Sequence, residues 1–370
     1  MISRQEFGRT EHQCSRVILG AWALNKATQT EADRIMTLLH DYGVNSIDTA
    51  PMYGNAEKVI GPWLTERRKE YFVATKTRSR SRQGALKNLS QSLEHLQVDY
   101  IDLWQMHGLT NPAGWEKAMG PDGALEALVE ARDDGLVHYL GVTGHGYKAP
   151  SMHKLSLERF DFDSIMLPHN YLLMQNPHYE ADFLELVELC KKRKVAVQTI
   201  KSIARSSLEG QSKRYNTYFY EPLETQDAID KSVHWSLGLL DSFLISVGDL
   251  RLLPKVLNTA SSFEERPSEL EMRAMVNDFK VQSIWSRSKR GKGPHTWGGK
   301  MYQIVEKLIR EGFFSHPKKR TLEQVVFALE SNGLPSRDKK KNLANALTRR
   351  AKKGILKKTK TPNGWVYWTE

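Results

Sequence analysis

An apolar, β-branched segment followed by an amphipathic helical segment recurs eight times between Arg16 and Ala260. The apolar segments read RVILGAW, VNSIDTA, residues 71–76, residues 99–106, VHYLGVTGH, FDSIMLPHN, VAVQTIKSI and SFLISVG. Near-continuous apolar runs mark strands buried on both faces, and a helix between successive strands marks a parallel sheet with crossovers. Eight such pairs predict a closed (β/α)8 TIM barrel. An open doubly wound sheet would place a glycine-rich dinucleotide turn after its first strand, and GAWALNK is no such turn. Residues 5–16 read as a short hairpin or cap ahead of the first strand. Thr30 reads as the cap of the first helix, with Asp33 three residues on, Ile35, Leu38, Leu39 and Tyr42 as its inward stripe, and Gly43 as its stop.

In such a barrel the strand C-terminal ends and the loops after them build the active site. Asp48 closes the second strand and Tyr53 follows it; Lys76 closes the third, and His107 the fourth. Singly, each has a plain structural reading: a cap, a packed ring, a snorkelling ammonium, a satisfied imidazole. Together, on three successive strand ends, they form a titratable set, and a lysine ending an apolar strand needs a partner for its charge.

With LGAW at 19–22, DTAPMYGNAE at 48–57 and GVTGH at 141–145, these residues resemble the aldo-keto reductase family over roughly residues 5–265. The resemblance implies NADP(H)-dependent reduction of an aldehyde or ketone, with NAD(H) as the alternative cofactor. It maps a catalytic tetrad onto Asp48, Tyr53, Lys76 and His107. A phenol has a pKa near ~10 and donates reluctantly at neutral pH. A neighbouring ammonium favours the phenolate, and a carboxylate keeps that ammonium charged and fixed. His107 then orients the carbonyl oxygen.

The implied cofactor set is Gly20, Trp22, Asp48, Thr143, Asn170, Lys201, Gly248, Asp249 and Arg251. Trp22 also resembles the family's aromatic pocket wall. The family's Ser–Asn pair after the fifth strand is here Thr143–Gly144–His145, and the Gln of its sixth strand is absent from SIMLPHN. Thr143 stands for the serine, with Asn170 or His145 for the amide contacts. Gly248 and Asp249 match the pyrophosphate loop, where Asp249 alternatively caps the following helix. Arg251 and Lys255 are the cations nearest a 2′-phosphate, and Lys201 faces the pocket mouth. The loops around 108–123 and 205–222 select the substrate, a small carbonyl compound.

Residues 1–279 are thus assigned to the barrel, 280–300 to a linker rich in Gly, Ser and basic residues, and 301–370 to a small domain. Charge divides along the same line. After residue 285 there are 21 Lys and Arg against 6 Asp and Glu, which leaves 33 against 37 before it. Such asymmetry points to a polyanion partner for the tail. Three helical segments and a terminal hairpin, turned at Asn363–Gly364, resemble a winged helix-turn-helix. Lys339, Lys340, Lys341, Arg349, Arg350, Lys352 and Lys353 would supply phosphate contacts, and Lys357, Lys358 and Lys360 would line the wing. DNA, RNA and a protein partner all remain open for this segment. A nicotinamide-sensing regulator that binds DNA through the tail is the second functional reading.

No segment approaches the ~18 apolar residues of a membrane span. The start, MISRQEFGRTEHQCSR, lacks the apolar core of a signal peptide. Cys14 and Cys190 offer neither a disulfide framework nor metal-ligand spacing. The expectation is a cytoplasmic protein without a structural metal.

Overall fold

The computed structural model describes residues 1–208, 214–217 and 219–285. Beyond these it describes 304–305, 308–309, 312–315, 319–331, 343–344, 347–348, 351, 356–361 and 364–369. The chain divides into two compact units, Met1–Ile284 and Trp285–Glu370.

The first unit opens with an antiparallel hairpin of β1 (Arg4–Glu6) and β2 (Gln13–Ser15). Then come β3 (Val17–Gly20), α1 (Gln29–Asp41), β4 (Ser46–Asp48), α2 (Ala56–Arg67), β5 (Phe72–Thr77), α3 (Arg82–Leu96) and β6 (Ile101–Met106). A short α4 (Pro112–Met119) precedes α5 (Ala124–Asp133), β7 (Val137–Thr143), α6 (Ala149–Arg159) and β8 (Ser164–Pro168). The small α7 (Tyr171–Met174) precedes α8 (Pro177–Arg193) and β9 (Ala196–Ile200). A second hairpin, β10 (Ala204–Ser207) with β11 (Tyr220–Pro222), is inserted before α9 (Gln226–Leu237) and β12 (Ser242–Ile245); α10 (Leu253–Ser261) and α11 (Glu269–Asp278) end the unit. The ladder β12-β3-β4-β5-β6-β7-β8-β9 closes on itself. Every pairing in it is parallel. This is the expected (β/α)8 barrel.

The register does the positioning. Gly20 pairs with Asp48, Asp48 with Ala74, and Lys76 with Gln105, so the ends of β3 to β6 lie together at one rim. At the opposite end the β1–β2 hairpin inserts Phe7, whose ring lies 5.2 Å from Phe72 and 4.8 Å from Phe243. Phe7 and Cys14 join Ile18, Ala74, Leu103 and Met166 in one buried cluster. Arg9 fastens the hairpin by ion pairs to Asp161 at 2.6 Å and Asp163 at 2.7 Å.

One local expectation is corrected. Thr28, not Thr30, caps α1, in a full capping box with Glu31. Asp33 is one methylene too short for the reciprocal bond that Glu31 makes to the Thr28 backbone N–H at 2.8 Å. The inward stripe is accordingly Ala32, Met36 and Leu39, while Ile35, Leu38 and Tyr42 are only half-buried.

In the second unit the described residues include helical positions at 304–305, 308–309, 343–344, 347–348 and 351, the helix Leu322–Ser331, and strands β13 (Arg320–Thr321), β14 (Lys357–Thr361) and β15 (Gly364–Trp368). The strands form an antiparallel sheet in the order β13-β15-β14. Thr321 and Gln324 make the expected reciprocal cap. Val305, Leu308, Phe314, Val325, Leu329, Leu343, Leu347 and Tyr367 form its core. Thr361 pairs with Gly364, and Asn363 of the expected turn lies outside the described residues. The basic residues at 339–341, 349–350 and 352–353 also lie outside them, as do 286–300 of the expected linker.

Candidate active site

At the rim formed by β3 to β6 and β9 to β12 lies a cavity of about 150 Å³. Asp48, Tyr53, Lys76 and His107 all line it, with Gly20, Trp22, Thr143, His145, Lys201 and Gly248. The strand ends therefore bring together the four titratable residues and most of the expected cofactor set. Met52, Arg78, Gly108, Ile200, Phe219, Tyr220 and Ser246 line it as well.

Lys76 is 1% exposed and Asp48 2%, and a buried pair of this kind must satisfy every polar atom. Lys76 Nζ donates to Asp48 Oδ2 at 2.6 Å and to the Thr49 carbonyl at 2.7 Å. Asp48 Oδ1 accepts from Gln105 Nε2 at 2.9 Å, and Gln105 Oε1 accepts from Gln198 Nε2 at 3.0 Å. Burial opposes charge on Lys76, but Asp48 and Tyr53 outweigh it and raise the ammonium above its ordinary value. Lys76 is thus a fixed cation.

Tyr53 stands against it, with Lys76 Nζ 4.9 Å from the ring centroid. A hydrogen bond that Lys76 donates to the Tyr53 hydroxyl oxygen is among the causes that raise it. Trp22 meets Tyr53 edge-on at 5.4 Å and His107 does so at 6.0 Å, which holds the phenol between two rings. Gly54, at φ 56°, makes the turn after Tyr53, and a Cβ there would lie 2.2 Å from the Asn25 carbonyl oxygen. Burial first, then the charges of Lys76, His145, Arg78 and Arg80, hold His107 well below the ordinary histidine range. Its Nδ1 is buried without a hydrogen-bond partner among the described residues. Arg80 fixes the backbone here, donating to the carbonyls of His107 at 2.7 Å and Gly108 at 3.2 Å.

Across the rim, Lys201 is 8% exposed and follows β9 at φ 70°, a conformation a side-chain-bearing residue holds only under constraint. That constraint comes from Asn170, whose Nδ2 donates to the Lys201 carbonyl at 3.1 Å while its Oδ1 caps α7 through Leu173 N. The Lys201 ammonium faces the rings of Phe219 and Tyr220 at 5.5 and 4.9 Å and has no carboxylate partner among the described residues. Burial lowers it to about 8. Lys201 lines the same cavity as the small residues Gly20 and Gly248, and a desolvated cation there fits a phosphate-bearing ligand.

Three expected cofactor residues lie off the cavity. Asn170 is occupied as described. Asp249 is buried, accepting from Asn216 N at 3.1 Å and Arg251 N at 3.1 Å. Arg251 in turn spends its guanidinium on Asp249 at 2.7 Å and the Arg214 carbonyl at 2.9 Å. Lys255 donates to the Glu224 carbonyl at 2.7 Å. Thr143 lines the cavity, yet its hydroxyl oxygen already accepts from Gly108 N at 3.0 Å. Asn216, unforeseen in the sequence, knits the inserted segment to the rim. It accepts from Trp22 Nε1 at 2.6 Å and donates to the Gly248 carbonyl at 3.1 Å. Gln105 and Gln198 were discoverable as polar residues within apolar strands; the aromatic pair on the inserted hairpin was not.

No helix among the described residues is long and apolar enough to cross a membrane, and no group of three or more His, Cys, Asp or Glu there could hold a metal ion. A family model for the aldo/keto reductases matches residues 16–276. The uncharacterized oxidoreductase YqkF of Bacillus subtilis is 24% identical over 312 residues, covering 78% of this chain and 97% of its own. Aldo-keto reductase YhdN of the same organism is 27% identical over 237 residues, 58% of this chain and 66% of its own. Among solved structures, glycerol dehydrogenase AKR11B4 from Gluconobacter oxydans superposes with a TM-score of 0.56 at 20% identity, covering 75% of this chain and 94% of that one. Bombyx mori aldo-keto reductase AKR2E4 in complex with NADP gives 0.53 at 18%, covering 77% and 95%. These two likenesses establish the fold. The family match takes in the barrel and every member of the tetrad, and the chain belongs to the aldo/keto reductase family of oxidoreductases acting on carbonyl groups.

Proposed function

We propose that the protein reduces an aldehyde or ketone to an alcohol, or runs the reverse, with NADP(H) and with Tyr53 as the general acid. The observation that carries this reading is the Tyr53 phenol held against a buried, Asp48-anchored ammonium inside a cavity. When bound, the dinucleotide supplies or accepts the hydride. The chain's own residues do the rest. Lys76, kept charged by Asp48, stabilises the phenolate left when Tyr53 gives its proton to the carbonyl oxygen. Neutral His107 hydrogen-bonds that oxygen and orients it. Lys201 would meet the dinucleotide phosphates beside Gly20 and Gly248, while Trp22 and Tyr53 wall the reacting end. The preference for NADP(H) over NAD(H) is tested by running the same reaction with each cofactor, since the Arg251 guanidinium is already bonded to Asp249 and to the Arg214 carbonyl. Free, buried thiols at Cys14 and Cys190 support a reducing, cytoplasmic setting.

Acid catalysis of this kind is worth about 10²–10⁴-fold. Tyr53→Phe is expected to cut kcat by that much, read by NADPH oxidation against aldehydes and ketones, with NADPH affinity nearly unchanged. Turnover at the wild-type rate in that variant would remove Tyr53 from the role.

For the second unit, the basic balance after residue 285 supports a winged-helix, nucleic-acid-binding reading. So does the order helix, β13, helix, helix, β14, β15. Lys357 and Lys360 are exposed on β14, where they would meet phosphate. The full chain is expected to shift duplex DNA at low salt and to release it as salt rises; absence of a shift at low salt excludes the reading.

A further inference from the structure

The charges around the cavity do not balance. Asp48 and Lys76 cancel as an ion pair at 2.6 Å, and His107 and His145 are neutral, since burial holds both below the ordinary range. Arg78 and Lys201 remain, and no other carboxylate lines the space. Two positive charges therefore stand unanswered among the described residues.

They stand on opposite sides. Arg78 follows β5 and Lys201 follows β9, and in the closed ladder those strands are four places apart in either direction. The tetrad follows β4, β5 and β6, on the Arg78 side. One cation thus serves the half where Lys201 would meet dinucleotide phosphate. The other overlooks the reacting centre, close enough that its charge is one of the causes depressing His107.

Arg78 is also free to act. Its guanidinium meets only the Met52 sulfur, at 3.8 Å, and it forms no ion pair among the described residues. Arg80, two residues on, has its guanidinium committed to two carbonyls. A planar fork of N–H donors at a cavity mouth matches the two oxygens of a carboxylate or the edge of a phosphate. A neutral substrate would gain nothing from it.

We propose that Arg78 is a specificity-determining residue, and that the substrate is a carbonyl compound bearing a carboxylate or phosphate that Arg78 binds while the carbonyl meets Tyr53 and His107. This inference rests on the reductase reading above. Arg78 takes no part in proton transfer; its contribution is ground-state recognition, which appears in KM.

The test pairs substrates that differ in charge alone. Wild-type protein is given 4-carboxybenzaldehyde and its methyl ester, and separately glyceraldehyde 3-phosphate and glyceraldehyde, with NADPH. The expected result is a kcat/KM preference for the anionic member of at least one pair. Arg78→Met reduces that preference about ten- to a hundredfold, and Arg78→Lys restores part of it. The pair that responds tells a carboxylate site from a phosphate site. No preference in wild type, or equal loss for charged and neutral members in Arg78→Met, overturns the proposal while leaving the reductase reading intact. A readout without turnover separates the converse case: binding of 4-(hydroxymethyl)benzoate, followed by tryptophan fluorescence. If no carbonyl is reduced but this binding weakens about tenfold in Arg78→Met, the anion site stands and the reductase reading falls. Binding unaffected by the substitution counts against the site.

Discussion

The buried pair at the ends of β4 and β5 is the most consequential residue-scale feature. Lys76→Met would leave the Asp48 carboxylate 2% exposed with Gln105 as its remaining donor. Breaking such a pair costs about 3–5 kcal/mol. Urea denaturation is expected to show that loss, and Asp48→Asn combined with Lys76→Met is expected to recover much of it. Lys201 carries a pH signature. Its folded value, lowered to about 8, means that the cation is present below that pH and is lost as pH rises through it. NADPH binding is accordingly expected to weaken above about pH 8, with the dissociation constant rising toward tenfold per unit; a flat profile to pH 9.5 would take Lys201 out of the phosphate contact. That Asp48, Tyr53, Lys76 and His107 would meet at one cavity was legible because each ends or follows an apolar strand, where a titratable side chain stands out. Asn170, Asp249 and Arg251 carry contacts that were not legible. Their residue types suit a cofactor, and only the fold reveals that α7, the Asn216 segment and each other have already engaged them.

At the scale of elements, the strand–helix alternation made the barrel readable before its closure could be seen, since apolar runs and capped helices are local signals. Register within a helix is less local. TQTEAD offers two overlapping cap patterns, and in the helix that Thr28 caps the buried positions are Ala32, Met36 and Leu39, of which only Leu39 belongs to the expected stripe. The β10–β11 hairpin escaped notice because its strands are short, and their pairing depends on a long-range register between Ala204 and Pro222. The turn at Gly54 links element geometry to chemistry. Gly54→Ala is expected to cost about 1–3 kcal/mol, from the left-handed backbone and the contact with the Asn25 carbonyl. It should lower kcat more than it lowers the melting temperature would suggest, because Tyr53 sits one residue away. A variant that melts early yet turns over normally would show that the turn and the phenol are independent.

For the whole molecule, the interior histidines set the response to acid. His153 lies fully buried with Nε2 bonded to the Met166 carbonyl at 2.9 Å, and His169 is stacked between Phe183 and Trp235. Burial holds them at about 4 and about 3. The unfolded chain takes up these protons below about pH 6.5 and the fold does not until about 4 or lower, so stability falls as pH falls through that window. Each site contributes about 1.4 kcal/mol per pH unit there. Melting temperature is expected to drop steadily from pH 6.5 to 4.5, and a His153→Gln variant should show a shallower decline; identical slopes would locate the acid sensitivity elsewhere. The family match begins at residue 16, yet the hairpin that stoppers the barrel lies wholly ahead of it. A chain begun at Arg16 would keep Asp48, Tyr53, Lys76 and His107 and lose its cork. Water would then reach the aromatic floor formed by Phe72 and Phe243, and the shortened protein should clump on warming although nothing near the chemistry had been touched.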